Sequence, residues 1–320
     1  FAALAGPQNY GYYAAALLVY LGVQSATDSA IRQISVGVVQ SKGGQRFLRR
    51  YRIFAGLFGT SASLLCILIF SLTFMPLNHA VALTPIALAP LAWSISVTAL
   101  ARNQLAGGWR AIAGAQAACT VVSCLAAAPL LLSDAPLLAP ICQIALAELS
   151  FAICMVLQAR RIPNRGEPEL MLTAGERDSP NHWSSFRQAA QYSVLSWLQG
   201  QSDRLAISVI AGPAQLGKYS LAVSLSRNVA DALSIGVVNV LRPQVLGDHG
   251  SVDVRDAARA TISAIRRGVL LSVGIYIAAL ALSFGLPIIL GPQWGTAAEL
   301  VPVLALSALP ALVAWSLTPL

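Results

Sequence analysis

Residues 268–290 read GVLLSVGIYIAALALSFGLPIIL, a stretch that contains no charged side chain. At about 1.5 Å per residue, a helix of this length crosses a hydrocarbon core about 30 Å thick. Comparable apolar runs recur along the whole chain, and only 11% of its residues are charged, against about a quarter in a soluble domain. These runs predict an all-α, polytopic membrane protein.

The apolar runs predict about nine transmembrane helices. We place them at roughly 10–38, 51–75, 79–101, 109–133, 136–159, 186–211, 214–242, 266–290 and 296–318. Prolines within these runs, among them Pro85, Pro90 and Pro129, predict kinks.

The net charge of +8 comes from basic residues that are concentrated in alternate connecting segments. One set of segments holds most of the 21 lysines and arginines, namely Lys42, Arg46, Arg49, Arg50, Arg52, Arg102, Arg110, Arg160, Arg161, Arg165, Arg177, Arg187, Arg242, Arg255, Arg259, Arg266 and Arg267. The other segments, near 76–78, 134–135, 212–218 and 291–295, hold only Lys218. The positive-inside rule therefore predicts that the first set is cytoplasmic. Basic flanks that meet anionic headgroups also explain the charge without nucleic acid as a partner.

Metal, redox and cofactor chemistry find no support in the sequence. The five cysteines lie within apolar runs and form no C-x-x-C pair, and the three histidines are scattered over loops. No P-loop or glycine-rich dinucleotide motif follows a strand. We expect no enzyme activity, no cofactor and no metal site.

Two polar stretches interrupt the apolar pattern. The longer one, 160–185, is rich in proline and predicts a cytoplasmic linker between two helical lobes. The other, 248–267, has apolar residues at helical spacing. It fits either an amphipathic helix at the membrane surface or an extension of the next span.

A short internal repeat links the two halves of the chain. Residues 6–13 read GPQNYGYY and residues 212–219 read GPAQLGKY, so both follow the pattern G-P-x-x-x-G-x-Y. Proline cannot continue a helix and glycine permits a tight reversal, which predicts a non-cytoplasmic hairpin turn at each site. Such a repeat predicts two tandem helical-bundle lobes in parallel orientation that face a central cavity.

These segments resemble the Wzx-type polysaccharide flippases, within the multidrug/oligosaccharidyl-lipid/polysaccharide exporter superfamily. The resemblance rests on residues 6–14, on SDRLAI at 202–207 with residues 212–222, and on LGPQWGTAA at 290–298. It covers nearly the whole chain in helix order and spacing.

The resemblance implies a protein of the bacterial inner membrane with two six-helix lobes. On that pattern the first lobe would be 1–159, with its first helix largely missing, and the second would be 186–320, cut short at its end, with residues 160–185 as a cytoplasmic linker between them.

Polar side chains recur at helical spacing in two predicted spans, which places them on one face of each helix. These are Tyr192, Ser196, Gln199 and Asp203 in the sixth span, and Ser220, Ser224, Arg227, Asp231 and Ser234 in the seventh. Ionisable residues within a span usually face a cavity or a partner. We therefore predict a polar lumen, and we place there the substrate-binding candidates Arg227, Arg204, Asp203, Asp231, Gln199 and Ser224.

Alternative interpretations remain open for the charged residues. Arg227 suits a pyrophosphate ligand because its planar fork matches phosphate oxygens, but it also stands four residues before Asp231 and fits a helix-packing ion pair. Asp28 has the same relation to Arg32. Glu148 and Asp28 are candidates for a coupling-ion or proton site, and Glu148 equally fits a contact between packed helices.

The resemblance implies a transporter that flips polyprenyl-pyrophosphate-linked oligosaccharide, or exports polysaccharide, by alternating access. Its partners would be the lipid-linked substrate, the bilayer, H⁺ or Na⁺, and other polysaccharide-assembly proteins. One alternative is a cation-coupled multidrug exporter of the same superfamily. Another is a membrane-embedded glycosyltransferase or polymerase, although such enzymes need a sizeable loop and the non-cytoplasmic loops here are short.

Overall fold

A computed structural model describes residues 1–41, 43–73, 77–133, 136–161, 181–226 and 254–317. Within these ranges the chain is helical and has no strands, which confirms the predicted all-α class. Arg227, Asp231 and most of the predicted linker 160–185 lie outside the described residues.

The helices group into two compact units, of which the first comprises Phe1, Ala3–Ala5 and Tyr12–Pro213. A π-helical turn, Ser25–Ser29, joins its first two helices. The helices are α1 (Ala2–Gln24), α2 (Ala30–Gln40), α3 (Gly44–Thr73), α4 (Leu77–Leu83), α5 (Ala89–Leu105), α6 (Trp109–Ala127), α7 (Leu138–Arg161) and α8 (His182–Ile210).

The second unit comprises Ala2, Gly6–Gly11 and Ala214–Leu320. Its helices are α9 (212–226), α10 (Val254–Leu290) and α11 (Gly295–Leu317). From residue 254 onward, the polar stretch 248–267 is an extension of the span in α10. The lobes 1–159 and 186–320 remain a prediction, because compactness alone does not identify repeats.

Six helical segments of the described residues are long and apolar enough to cross a membrane. They are Ala2–Val39, Gly44–Phe70, His79–Leu105, Trp109–Leu132, Leu138–Arg161 and Ser272–Leu290. Of the other predicted spans, 186–211 and 296–318 coincide with α8 and α11, whereas 214–242 is described only as far as residue 226. Polar side chains such as Gln199, Asp203 and Arg204 lower the hydropathy of α8, which explains its absence from the six.

Large apolar side chains form an exposed surface on the outside of α3. Leu57, Leu65 and Leu68 are all more than half exposed. Contiguous apolar surface of this kind is rare on soluble monomers and marks contact with a partner or a membrane. Together with the length and composition of the helix, this surface is consistent with contact between α3 and the bilayer.

Gly-Pro pairs interrupt the helical geometry at three places, two of which are the repeat copies. Gly6, Gly212 and Gly291 have φ values of 71°, 78° and 102°, and each precedes a proline. Only glycine adopts such angles at little cost, and proline then starts the next helical segment. The helical geometry is therefore interrupted at both repeat copies, while the predicted non-cytoplasmic hairpin turns remain a prediction.

Three prolines within predicted spans coincide with irregular helical geometry, while the predicted kinks remain a prediction. Pro85 and Pro129 each lie at the start of a 3₁₀ turn, Thr84–Leu88 and Ala128–Leu132, and Pro90 lies at the start of α5. A proline lacks the N–H group that the helical ladder needs, so the helix tightens or restarts there.

The two repeat copies meet within the second unit. A Cβ atom on Gly217 would overlap the carbonyl oxygen of Pro7 and lie 2.8 Å from the backbone nitrogen of Gly11. Nearby, the ring of Tyr10 packs edge-on against the buried Trp294, with 5.7 Å between the ring centroids. The second glycine of the later copy therefore permits a close backbone approach to the earlier copy.

Candidate functional site

Asp28 lies inside the π-helical turn Ser25–Ser29 that interrupts the first span. Its side chain is only 3% exposed, and its Oδ2 atom is 2.6 Å from Nε of Arg32. The hydroxyl of Thr27 donates to the carbonyl oxygen of Val23 at 2.7 Å, a side-chain bond that competes with the regular helical ladder. Single π turns in α-helices occur frequently at functional sites.

Glu148 on α7 is held by Tyr20 on α1. The Tyr20 hydroxyl donates to Oε1 of Glu148 at 2.7 Å, a length typical of a strong hydrogen bond to a carboxylate. The Tyr20 ring packs against Trp93 of α5, with ring centroids 5.2 Å apart. The carboxylate of Glu148 therefore has a positioned donor in the interior of the first unit.

Tyr20, Asp28, Arg32 and Glu148 form what we call the α1–α7 polar cluster. Asp28 lies within electrostatic range of both Arg32 and Glu148. With both carboxylates ionised, the cluster holds two negative charges against one positive charge. One bound proton or monovalent cation would balance the charge, since two neighbouring carboxylates disfavour each other's ionised form.

Helix α8 packs against the first span through one face. Gln33 Nε2 donates to the buried Ser193 hydroxyl at 3.0 Å, and a Cβ on Gly22 would lie 3.0 Å from the ring of Trp197. Arg204, seven residues after Trp197, falls on the same side of the helix and is 7% exposed. The structure thus buries Arg204 in the packed face of α8.

The polar side chains predicted to share one face of α8 are offset from that packed face by about a quarter turn. Tyr192, Ser196 and Gln199 are exposed, and Asp203 is half-buried. Oδ1 of Asp203 accepts from the backbone nitrogen of Arg204 at 2.7 Å. Gln199 and Asp203 therefore share a face, whereas Arg204 belongs to another.

The row of polar side chains predicted on one face of the seventh span lies only partly within the described residues. Ser224 is half-buried, and its hydroxyl donates to the carbonyl oxygen of Ser220 at 2.8 Å. The row continues into Arg227 and Asp231, outside the described residues. The grouping of the six substrate-binding candidates in one lumen stays a prediction.

Sequence reasoning missed Tyr20. A tyrosine two helical turns before Asp28, in an otherwise apolar run, is a signal that the sequence does carry. Its pairing with Glu148 joins residues far apart in the chain, so helical spacing gives no indication of it. In the described residues, no group of three or more His, Cys, Asp or Glu side chains is placed to hold a metal ion.

Long apolar helices with ionisable groups in their interior define a multi-pass α-helical membrane protein. The family model described as polysaccharide biosynthesis protein matches residues 1–299, and the chain belongs to that family. The match confirms the resemblance drawn from the sequence motifs. No curated protein and no solved structure matches the chain.

Proposed function

We propose that this protein moves polyprenyl-pyrophosphate-linked oligosaccharide across the bacterial inner membrane by alternating access, without enzymatic chemistry. The observation that carries the proposal is the family match over residues 1–299, in a chain whose described residues include six helical segments long and apolar enough to cross a membrane. A saccharide carries many polar groups that hydrocarbon cannot satisfy, so its passage needs a polar path through protein. A multi-pass protein devoted to polysaccharide biosynthesis fits that need.

In this proposal, arginines bind the pyrophosphate and the other polar candidates bind the sugar. Arg227 and Arg204 supply fixed positive charge and a planar fork of donors that matches phosphate oxygens. Gln199, Asp203, Ser224 and Asp231 supply hydrogen bonds to hydroxyl groups. The polyprenyl tail stays in the bilayer while the headgroup passes between the lobes.

The α1–α7 polar cluster supplies the coupling-ion site in the same proposal. A proton or Na⁺ at Glu148 would neutralise the charge that strengthens the hydrogen bond from Tyr20. The contact between α1 and α7 would then weaken, so that ion occupancy changes the relative stability of two arrangements of these helices. Asp28 shares the excess negative charge and tunes ion affinity.

A multidrug exporter is the second candidate, because the same cluster favours it. Two carboxylates against one guanidinium attract a cationic ligand, and such exporters take cationic drugs. The two functions differ in the sign of the transported ligand, which makes them separable by experiment.

Reconstitution tests the proposal directly. The full-length protein in proteoliposomes should expose a fluorescent polyprenyl-pyrophosphate oligosaccharide to a membrane-impermeant quencher faster than empty liposomes do, and an imposed H⁺ or Na⁺ gradient should accelerate it. The same vesicles should not move a fluorescent lipophilic cation. Cation transport without saccharide movement would reject the flippase proposal and support the exporter.

A further inference from the structure

A groove runs along the beginning of α3 and α8 in the first unit. Its apolar part has a volume of about 570 Å³, with Phe54 and Phe58 of α3 facing Trp183 and Phe186 of α8. The aromatic wall is closely packed, since the Trp183 ring lies 5.8 Å from that of Phe54 and 6.0 Å from that of Phe186. This part of the groove suits a hydrocarbon chain.

A basic part of about 350 Å³ adjoins the apolar part and shares Trp183 with it. Arg46 and Arg50, one helical turn apart on α3, line it beside His182. Both arginines are exposed, and within the described residues neither forms an ion pair. Arg187 of α8 adds a further positive charge to the wall of the apolar part.

The two parts of the groove follow each other along the axis of α3. Arg46 and Arg50 occupy the first two turns after Gly44, and Phe54 and Phe58 follow at intervals of about 6 Å. Positive charge therefore lies at the end of the span, and aromatic surface lies deeper in it. A phospholipid has the same order, with its phosphate at the membrane surface and its chains below.

We propose that this groove binds a bilayer phospholipid with an acidic headgroup, from the leaflet that meets the beginning of α3. The phosphate lies between Arg46 and Arg50, and one acyl chain lies along Phe54 and Phe58. Charge complementarity supports this occupant, because basic pockets between membrane helices attract anionic headgroups. A simple belt of interfacial aromatic residues anchors helices without a concave site and without paired arginines.

The test compares two double variants of the same helix end. Arg46→Gln with Arg50→Gln changes the groove, whereas Arg49→Gln with Arg52→Gln removes the same charge from exposed positions outside it. The purified full-length protein is titrated with phosphatidylglycerol, and bound lipid is counted by native mass spectrometry. We expect about 30-fold weaker binding for the groove variant, the loss expected for two basic residues near an anionic lipid, and less than about threefold for the control.

Further arms identify the occupant. Wild-type protein should gain thermal stability from phosphatidylglycerol but not from phosphatidylcholine or glycerol phosphate, and Phe54→Ala with Phe58→Ala should weaken lipid binding. Equal losses in the two arginine variants, or equal stabilisation by phosphatidylcholine, would overturn the proposal. So would preferential binding of a polyprenyl diphosphate, which would make the groove a substrate entrance. Undiminished lipid binding in the groove variant would also overturn it.

Discussion

At the residue scale, one hydrogen bond joins α1 to α7, from the Tyr20 hydroxyl to the Glu148 carboxylate. If Glu148 carries the coupling ion, Glu148→Gln should abolish polysaccharide export while the protein still inserts, because an amide neither binds nor releases the ion. Tyr20→Phe removes only the donor, so export should fall by about tenfold or more, since a hydrogen bond to a charged group contributes about 1.5–3 kcal/mol. Export and membrane protein level are measured in the same cells.

Tyr276→Phe is the matched control for Tyr20→Phe, because it removes a hydroxyl from a half-buried tyrosine of the second unit. It should export like wild type. Normal export by Glu148→Gln would show that Glu148 is a packing contact and not a coupling site.

The ion pair between Asp28 and Arg32 predicts unequal effects of removing either partner. Arg32→Gln removes the counter-charge of a carboxylate that is only 3% exposed. Asp28→Asn instead leaves a guanidinium that is 33% exposed and can be solvated by water or headgroups. We expect the free energy of unfolding to fall by about 3–5 kcal/mol in Arg32→Gln and by clearly less in Asp28→Asn. The double variant should recover part of that stability. Thermal unfolding in detergent measures this, and equal losses would contradict the burial argument.

Substitutions of Arg227 distinguish a role in substrate binding from a role in helix packing. If it binds pyrophosphate, Arg227→Lys should impair export although the charge remains, because a point-like ammonium lacks the bidentate geometry. Arg227→Ala should then abolish export in a protein that still inserts. If Arg227 only pairs with Asp231, Arg227→Ala with Asp231→Ala should restore both protein level and export. Recovered export in that double variant would reject the ligand hypothesis.

At the element scale, the sequence predicts helices better than it predicts their irregularities. The predicted spans 109–133 and 136–159 match the observed segments Trp109–Leu132 and Leu138–Arg161 closely, because a hydrocarbon core imposes length and composition on each helix. The π turn Ser25–Ser29 has no such compositional signature.

In the candidate site, too, the sequence indicates the residues but not their contacts. Ionisable residues within spans are visible in the sequence, so Asp28 and Glu148 could be singled out. The partner of Glu148 could not, because the packing of α1 against α7 selects it. Likewise, helical spacing gave Gln199 and Asp203 a common face, but which face of α8 would be packed depended on Gly22 and Gln33 of another span.

Gly217 tests the close backbone approach between the two repeat copies. Gly217→Ala places a methyl group against backbone atoms of Pro7 and Gly11, which cannot move as a flexible side chain would. We expect the free energy of unfolding to fall by about 2–3 kcal/mol, as is typical of an overpacked site. The thermal midpoint should therefore be lower. Gly274→Ala is the control: a Cβ on Gly274 meets nothing within 4 Å, so alanine should be neutral or stabilising there. Equal midpoints for the two variants would contradict the close approach.

At the scale of the whole molecule, the distribution of arginines predicts orientation. A single cysteine at position 165, in a chain whose five native cysteines are replaced, should react with a membrane-impermeant thiol reagent only after the cells are opened. A cysteine at position 8 or 215, within the repeat copies, should react in intact cells. Labelling of position 165 from outside would reverse the predicted topology.

The contact of Gly217 with Pro7 and Gly11 also sets an order of events during biosynthesis. The early segment belongs to the second compact unit, yet the ribosome makes it about 200 residues before its partner. At about 5–20 residues per second, the nascent chain waits roughly 10–40 s before Gly217 is synthesised. Throughout that interval residues 6–11 lack the packing partner that they have in the folded protein, so this segment reaches its final environment only late in synthesis.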